Sequence, residues 1–167
     1  MRTIRFLAAC LLAACASAVT STAGAAAPTT FEQRVKRMED VKAIERVLLE
    51  YGRTLDQRDF AAYAALFAKE GEWKGALGSY KGPAAIQAAM EKSFTAAAAD
   101  IPKGQNFHVM SNFIIDVEGD RATADSMFVF YKLNKAVPEP AVAGRYKDVL
   151  IRENGAWKFL ERNAVKP

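Results

Sequence analysis

His108 is the one histidine of the chain, and it lies in a run that alternates as a β-strand does, Asn106-Phe-His-Val-Met-Ser-Asn-Phe-Ile-Ile-Asp-Val117. Asp125 stands in the middle of the next such run, Ala122-Thr-Ala-Asp-Ser-Met-Phe-Val-Phe-Tyr131. A polar group in a largely buried strand is costly unless it is satisfied or put to use. Histidine titrates near neutrality, and a nearby carboxylate orients the ring and raises its basicity. Tyr51 adds a hydroxyl that can donate a hydrogen bond to a carbonyl or hydroxyl oxygen. Such a set can take a proton from carbon, or eliminate water, in an apolar pocket without a metal. The plainer alternative is a histidine with a structural hydrogen bond and an aspartate satisfied by backbone or arginine.

Other chemistries find little support. Both cysteines, Cys10 and Cys15, precede residue 28, so the remainder has no thiol, disulfide or cysteine metal site. One histidine makes a zinc centre improbable, and no glycine-rich phosphate loop is present. Ser111 and Ser126 lie in strands without a nucleophile elbow. Tyr63, Phe67 and Trp73 read as core or pocket wall rather than a cofactor box, and no cofactor is expected.

The elements that must carry these residues follow from periodicity. Val41, Ile44, Val47, Leu48, Tyr51 and Leu55 recur at helical spacing, with Asp40 as the expected N-cap after one or two separate turns over 31–38. Tyr51 ends that apolar stripe, and Asp56 lies about 140° round the helix from it. Gly52 either makes room beside these side chains or serves as a packing notch. Asp59 caps a second helix through Phe67, with Lys69-Glu-Gly71 ending it. Short strands are expected at 72–74 and 78–80, and a helix from Gly82-Pro83 into Ala99. The two runs of the opening paragraph form a hairpin about Glu118-Gly-Asp120. Residues 134–143, with Pro138 and Pro140, are expected as a loop or flap. Strands over 144–152 and 157–163 are joined by Asn154-Gly155, the strongest turn signal present. Helices before antiparallel strands predict an α+β fold, with helices packed on one face of a curved sheet.

Strand parity bears on whether His108 and Asp125 meet. A two-residue turn at Gly119 puts them on one face with Met110, Met127 and Tyr131, whereas a three-residue turn breaks that phase. The opposite face would carry Phe107, Val109, Phe113, Ile115, Phe128 and Phe130. Both faces are then largely apolar. Helices cover one, and a second copy's sheet is the simplest cover for the other, which predicts a homodimer.

Residues 1–27 carry Arg2 and Arg5, then Phe6-Leu-Ala-Ala-Cys-Leu-Leu-Ala-Ala14 and a tract of small residues. This is the pattern of a secretory signal, too short and alanine-rich for a comfortable membrane span. Ala16-Ser-Ala18 and Ala23-Gly-Ala25 suit ordinary cleavage, while Leu12-Ala-Ala-Cys15 suits lipidation at Cys15, leaving a domain over 28–167. A periplasmic, secreted or lipid-anchored protein is expected. The net charge of +4 includes Arg2 and Arg5. The remaining +2 makes no case for nucleic acid.

The order and spacing of several short segments resemble the SnoaL-like branch of the nuclear transport factor 2-like superfamily. They are Asp40-Val-Lys-Ala-Ile-Glu-Arg-Val-Leu-Leu-Glu-Tyr51, Leu55-Asp56, Asp59-Phe-Ala-Ala-Tyr-Ala-Ala-Leu-Phe67, His108-Val-Met-Ser-Asn112, Val117-Glu-Gly-Asp-Arg-Ala-Thr-Ala124, Gly144-Arg-Tyr-Lys-Asp148 and Asn154-Gly-Ala-Trp157 followed by Arg162. The resemblance implies a cone-shaped sheet and helices around a deep apolar pocket. It also implies roles for Tyr51 and Asp56, spaced as in the dehydratases of this branch, for His108 as the strand histidine, and for Asp125 as a second acid. Phe67, Trp73, Met110, Met127, Arg145 and Tyr146 are the expected pocket or mouth residues. The second strand histidine of scytalone dehydratase is absent.

Two functions fit this reading. One is a cofactor-free dehydratase or isomerase acting on a small hydrophobic hydroxy- or keto-compound. The other is an extracytoplasmic module that binds such a ligand without turnover.

Overall fold

The computed structural model describes residues 30–97 and 105–165. The expected signal segment, with both of its cleavage readings, lies outside the described residues.

The first helix, α1 (Phe31–Asp56), is continuous. Thr30 caps it: its hydroxyl accepts from the Gln33 N–H at 3.2 Å, while the Gln33 side chain accepts from the Thr30 N–H at 3.0 Å. Asp40 is therefore not the cap that the sequence predicted. It is buried mid-helix and accepts from Arg152 Nη2 at 2.5 Å and Trp157 Nε1 at 3.3 Å. Both hydrogen-bond donors lie more than a hundred residues away, so the local pattern does not reveal them. The predicted stripe is buried, with Ile44, Leu48, Tyr51 and Leu55 at its centre.

Asp59 caps α2 (Phe60–Ala65), accepting from the Ala62 N–H at 3.0 Å. This helix stops earlier than predicted. Phe67 begins β1 (Phe67–Gly75), which runs straight through Lys69-Glu-Gly71. Then come β2 (Gly78–Lys81), α3 (Pro83–Ala97), β3 (Phe107–Glu118), β4 (Arg121–Asn134), β5 (Val137–Glu153) and β6 (Ala156–Val165). One curved sheet takes the order β2-β1-β6-β5-β4-β3, with only the β1–β6 pair parallel. The fold is α+β, helices against one face of an unclosed sheet.

The predicted loop over 134–143 is mostly strand. β4 passes into β5 through Lys135 and Ala136, both at positive φ (48° and 67°), a tight turn that neither residue type advertises. Pro138 and Pro140 pair with β4 on one side only, because the β5–β6 ladder begins at Arg145. A strand edge tolerates the missing N–H.

The β3–β4 hairpin corrects the parity expectation. Its turn is Gly119-Asp120, with Glu118 paired to Arg121, and the anticipated phase holds as far as Ile114 opposite Asp125. A bulge then intervenes at Asn112, whose φ is 55°. Beyond it Ser111 faces Met127 and His108 faces Phe130. One inserted residue exchanges the faces of everything beyond it. His108 and Met110 therefore point inward with Phe128 and Phe130, whereas Asp125 is exposed on the outer face, between Ile114 and Lys147.

Candidate functional site

Asp56, the last residue of α1, meets the start of β3. Its Oδ2 accepts the His108 backbone N–H at 2.8 Å, and its Oδ1 lies 2.6 Å from His108 Nδ1. The side chains are only 11% and 8% exposed. An ionised carboxylate against Nδ1 draws the ring hydrogen to that nitrogen and leaves the Nε2 lone pair free. Gly52, one turn earlier, faces the same stretch of β3. A Cβ there would sit 3.4 Å from Met110 Cγ and 3.5 Å from His108 Cβ.

His108 lines a cavity of about 300 Å³ between α1, α3 and the concave face of the sheet. Its walls are Leu55, Met90, Phe94, Phe128, Phe130 and Ala164, with Ala76, Leu77 and Val142 at the rim, and its polar groups come from Tyr51, Trp73, His108 and Tyr146. Leu77 and Val142 are well exposed and mark the mouth. A larger depression of about 450 Å³ on the outside of α1, lined by Arg34, Arg37 and Lys42 among others, holds no comparable acid–base pair.

Tyr51 is almost fully buried, and its hydroxyl accepts a hydrogen bond from Trp73 Nε1 at 2.9 Å. Its ring contacts those of Tyr63 and Tyr146, with centroids 4.8 and 5.3 Å away. Burial, reinforced by the Tyr51 hydroxyl, pushes the Tyr63 and Tyr146 phenols well above the usual range, so both stay protonated. Tyr146 stacks on Phe128 at 4.6 Å. Gly144 permits this placement of Phe128, since a Cβ there would lie 2.6 Å from the Phe128 ring.

Behind Tyr51 is a charged pair. The Arg162 guanidinium is fully buried, with its Cζ 3.7 Å from the Tyr51 ring centroid and 3.8 Å from that of Tyr146. Arg162 Nη1 stands 3.5 Å from Asp148 Oδ2, and neither side chain makes a hydrogen bond. Burial pushes the Asp148 carboxyl up to about 7 against the opposing pull of Arg162.

Of the predicted site residues, Tyr51, Trp73, His108 and Tyr146 line the cavity, and Asp56 stands directly behind His108. Asp125 does not join them. Met127 and Arg145 pair with each other on the outer face, Met127 because it shares the phase of Asp125 and Arg145 because it alternates with inward-facing Tyr146. Phe67 is buried in the core against Tyr63 and Phe159. Met110 packs beneath α1 at Gly52. The sequence reading missed Phe128 and Phe130 as walls, having placed them on the opposite face, and it gave Asp148 and Arg162 no role. Alternation held a signal for Asp148, which shares its face with buried Tyr146 and Leu150, but not for Arg162, which a register shift in β6 puts out of phase with Trp157 and Phe159. Among the described residues no group of three His, Cys, Asp or Glu could hold a metal ion, and no helix is long and apolar enough to cross a membrane.

Several solved structures share this architecture. An NTF2-like protein with a cystatin-like fold from Novosphingobium aromaticivorans superposes with a TM-score of 0.72 at 24% identity, over 84% of this chain and 90% of that one. ActVI-ORFA from Streptomyces coelicolor gives 0.68 at 23%, over 77% and 95%. A protein from N. aromaticivorans provisionally named a scytalone dehydratase gives 0.64 at 25%, over 78% and 86%. No functionally curated protein matches. The model of the SnoaL-like domain matches residues 36–163, most of the chain, and the protein therefore belongs to the SnoaL-like domain family.

Proposed function

We propose that the protein is a cofactor-free lyase or isomerase of dehydratase type, acting on a small hydrophobic hydroxy- or keto-compound. The observation that carries this reading is the Asp56–His108 pair at the wall of an apolar cavity; with Nδ1 engaged by the carboxylate, Nε2 is the ring nitrogen left for a substrate. His108 takes a proton from the carbon beside a carbonyl, and Tyr51 donates a hydrogen bond to the carbonyl oxygen as charge gathers there. In a dehydration the neighbouring C–O bond then breaks, and the hydroxyl leaves as water with the proton returned by His108. In an isomerisation the same proton returns to a different carbon. The family includes dehydratases and isomerases, and the provisional name of one structural neighbour points the same way. The test is deuterium wash-in from D2O into aryl and alicyclic ketones and β-hydroxy ketones, read by mass spectrometry. Loss of wash-in on His108→Gln supports the reading, and unchanged wash-in refutes it.

The second reading, binding without turnover, draws on the near absence of polar groups over most of the cavity wall. Tight retention of a ketone with no exchange in any ligand would favour it.

The outer face of the sheet carries Val109 and Ile114, 44% and 65% exposed, beside the stacked Phe107–Tyr131 pair. We assign it to a second copy of the chain, to be checked by light scattering with Ile114→Lys. An extracytoplasmic location is likewise a proposal, tested by the mass of the mature N-terminus and by lipid at Cys15.

A further inference from the structure

Tyr51 is held from two directions by residues that the acid–base reading does not use. Tryptophan donates and cannot accept. The 2.9 Å contact with Trp73 therefore makes the Tyr51 oxygen the acceptor and turns its own hydrogen elsewhere. From behind, the Arg162 guanidinium lies against the face of the Tyr51 ring, with its charge buried away from water. A cation against an aromatic face is attracted to its electron density, the more so where water is excluded. The attraction grows as negative charge moves onto the phenol.

We propose that Trp73 and Arg162 are positioning residues that make Tyr51 a hydrogen-bond donor to the cavity, the indole fixing the direction of its hydroxyl and the guanidinium favouring charge on its oxygen. The inference rests on the proposed role of Tyr51 as donor to a substrate oxygen. It narrows the ligand to one that presents an acceptor oxygen, carbonyl or enolate, at the Tyr51 end of an otherwise apolar body. Asp148 is the counter-group of Arg162. Its high carboxyl range leaves the guanidinium charge only partly neutralised at neutral pH.

The experiment uses 2-acetylnaphthalene labelled with carbon-13 at the carbonyl and bound to the folded protein. Infrared difference spectra report the strength of the hydrogen bond to the ketone through the lowering of the C=O stretch. Trp73→Phe keeps an aromatic ring in the wall while removing the N–H together with the pyrrole part of the indole. Arg162→Met is made together with Asp148→Leu, because replacing a buried pair as a unit strands no charge. Circular dichroism checks each fold. Each variant is expected to lose about half of the carbonyl shift and to bind about threefold to tenfold more weakly, the range of one hydrogen bond. A purely structural role would leave the shift unchanged in any variant that folds. If Tyr51→Phe abolishes the shift while Trp73→Phe and the double variant keep it, the positioning role is overturned and Tyr51 stands as donor. If Tyr51→Phe keeps the shift, or the wild-type protein does not bind the ketone, the proposed function itself fails. Should the double variant not fold, Trp73→Phe decides alone, and a full shift there overturns the proposal.

Discussion

Asp56 and His108 are joined twice, once through the imidazole Nδ1 at 2.6 Å and once through the His108 backbone N–H at 2.8 Å. A single carboxylate therefore fixes where β3 begins, which way the ring faces and which nitrogen carries the hydrogen. The C-terminus of α1 and the first residues of β3 are thereby tied together at the cavity wall. Asp56→Asn keeps the shape but lacks the charge, and its amide can also face Nδ1 as a donor, which selects the wrong tautomer. Proton exchange is expected to fall by about 10²–10⁴-fold, the usual weight of a general base. Asp56→Ala also strands the His108 N–H and costs about 1–3 kcal/mol. Chemical denaturation separates the two effects: activity falls in both variants, and stability falls mainly in the second.

Gly52 faces Met110 and His108 where helix and strand meet. An added Cβ meets Met110 and His108 at ordinary van der Waals distances, 3.4 and 3.5 Å. Gly52→Ala should therefore fold well and gain up to about 1 kcal/mol from helix propensity. Gly52→Val adds branches that have no room, moves β3 away from Asp56 and should lower exchange while α1 remains helical. Thermal melts and exchange assays on the two variants check this.

Asp148 gives the protein a definite response to pH. Its folded carboxyl titrates at about 7, raised by burial with Arg162 opposing, against roughly 3.9 in an unfolded chain. Between these values the folded state binds more protons than the unfolded state, so stability falls as pH rises through that window and levels off above it. Asp148→Asn removes the titration. Its melting temperature relative to wild type should climb from pH 4 to pH 8, and parallel curves would contradict the assignment.

Asp40 acts in the opposite sense. Burial alone would raise its carboxyl, but hydrogen bonds from Arg152 and Trp157, with the charges of Arg152 and Lys36, hold it below the usual range. Its contribution is present above the unfolded value and is lost as pH falls through the lowered one. Asp40→Ala leaves Arg152 and Trp157 without this acceptor and should cost about 1–3 kcal/mol at neutral pH. The loss should shrink in acid, which urea titrations at two pH values would show.

The sequence made the stripe from Ile44 to Leu55, the cap at Asp59 and the Asn154-Gly155 turn readable, because each depends on neighbours within a few residues. The fold class and the candidates Tyr51 and His108 followed from the same local patterns and the family resemblance. Asp125 was misplaced because Asn112 adopts positive φ and adds one residue to β3. Asparagine tolerates that conformation without announcing it. Asp40 was misread because its partners come from β5 and β6. Arg162 was passed over because a buried cation depends on ring faces contributed by α1, β5 and β6, and no spacing along one strand reveals them.

His108, oriented by Asp56, is the group we propose to move a proton to and from carbon. Deuterium wash-in from D2O into a bound ketone, followed by mass spectrometry for wild type and His108→Gln, tests this role most directly. The wild-type protein should show wash-in and the variant should lose it, with ketone affinity retained. Equal wash-in by both, or tight ketone binding with none in the wild type, would contradict that role.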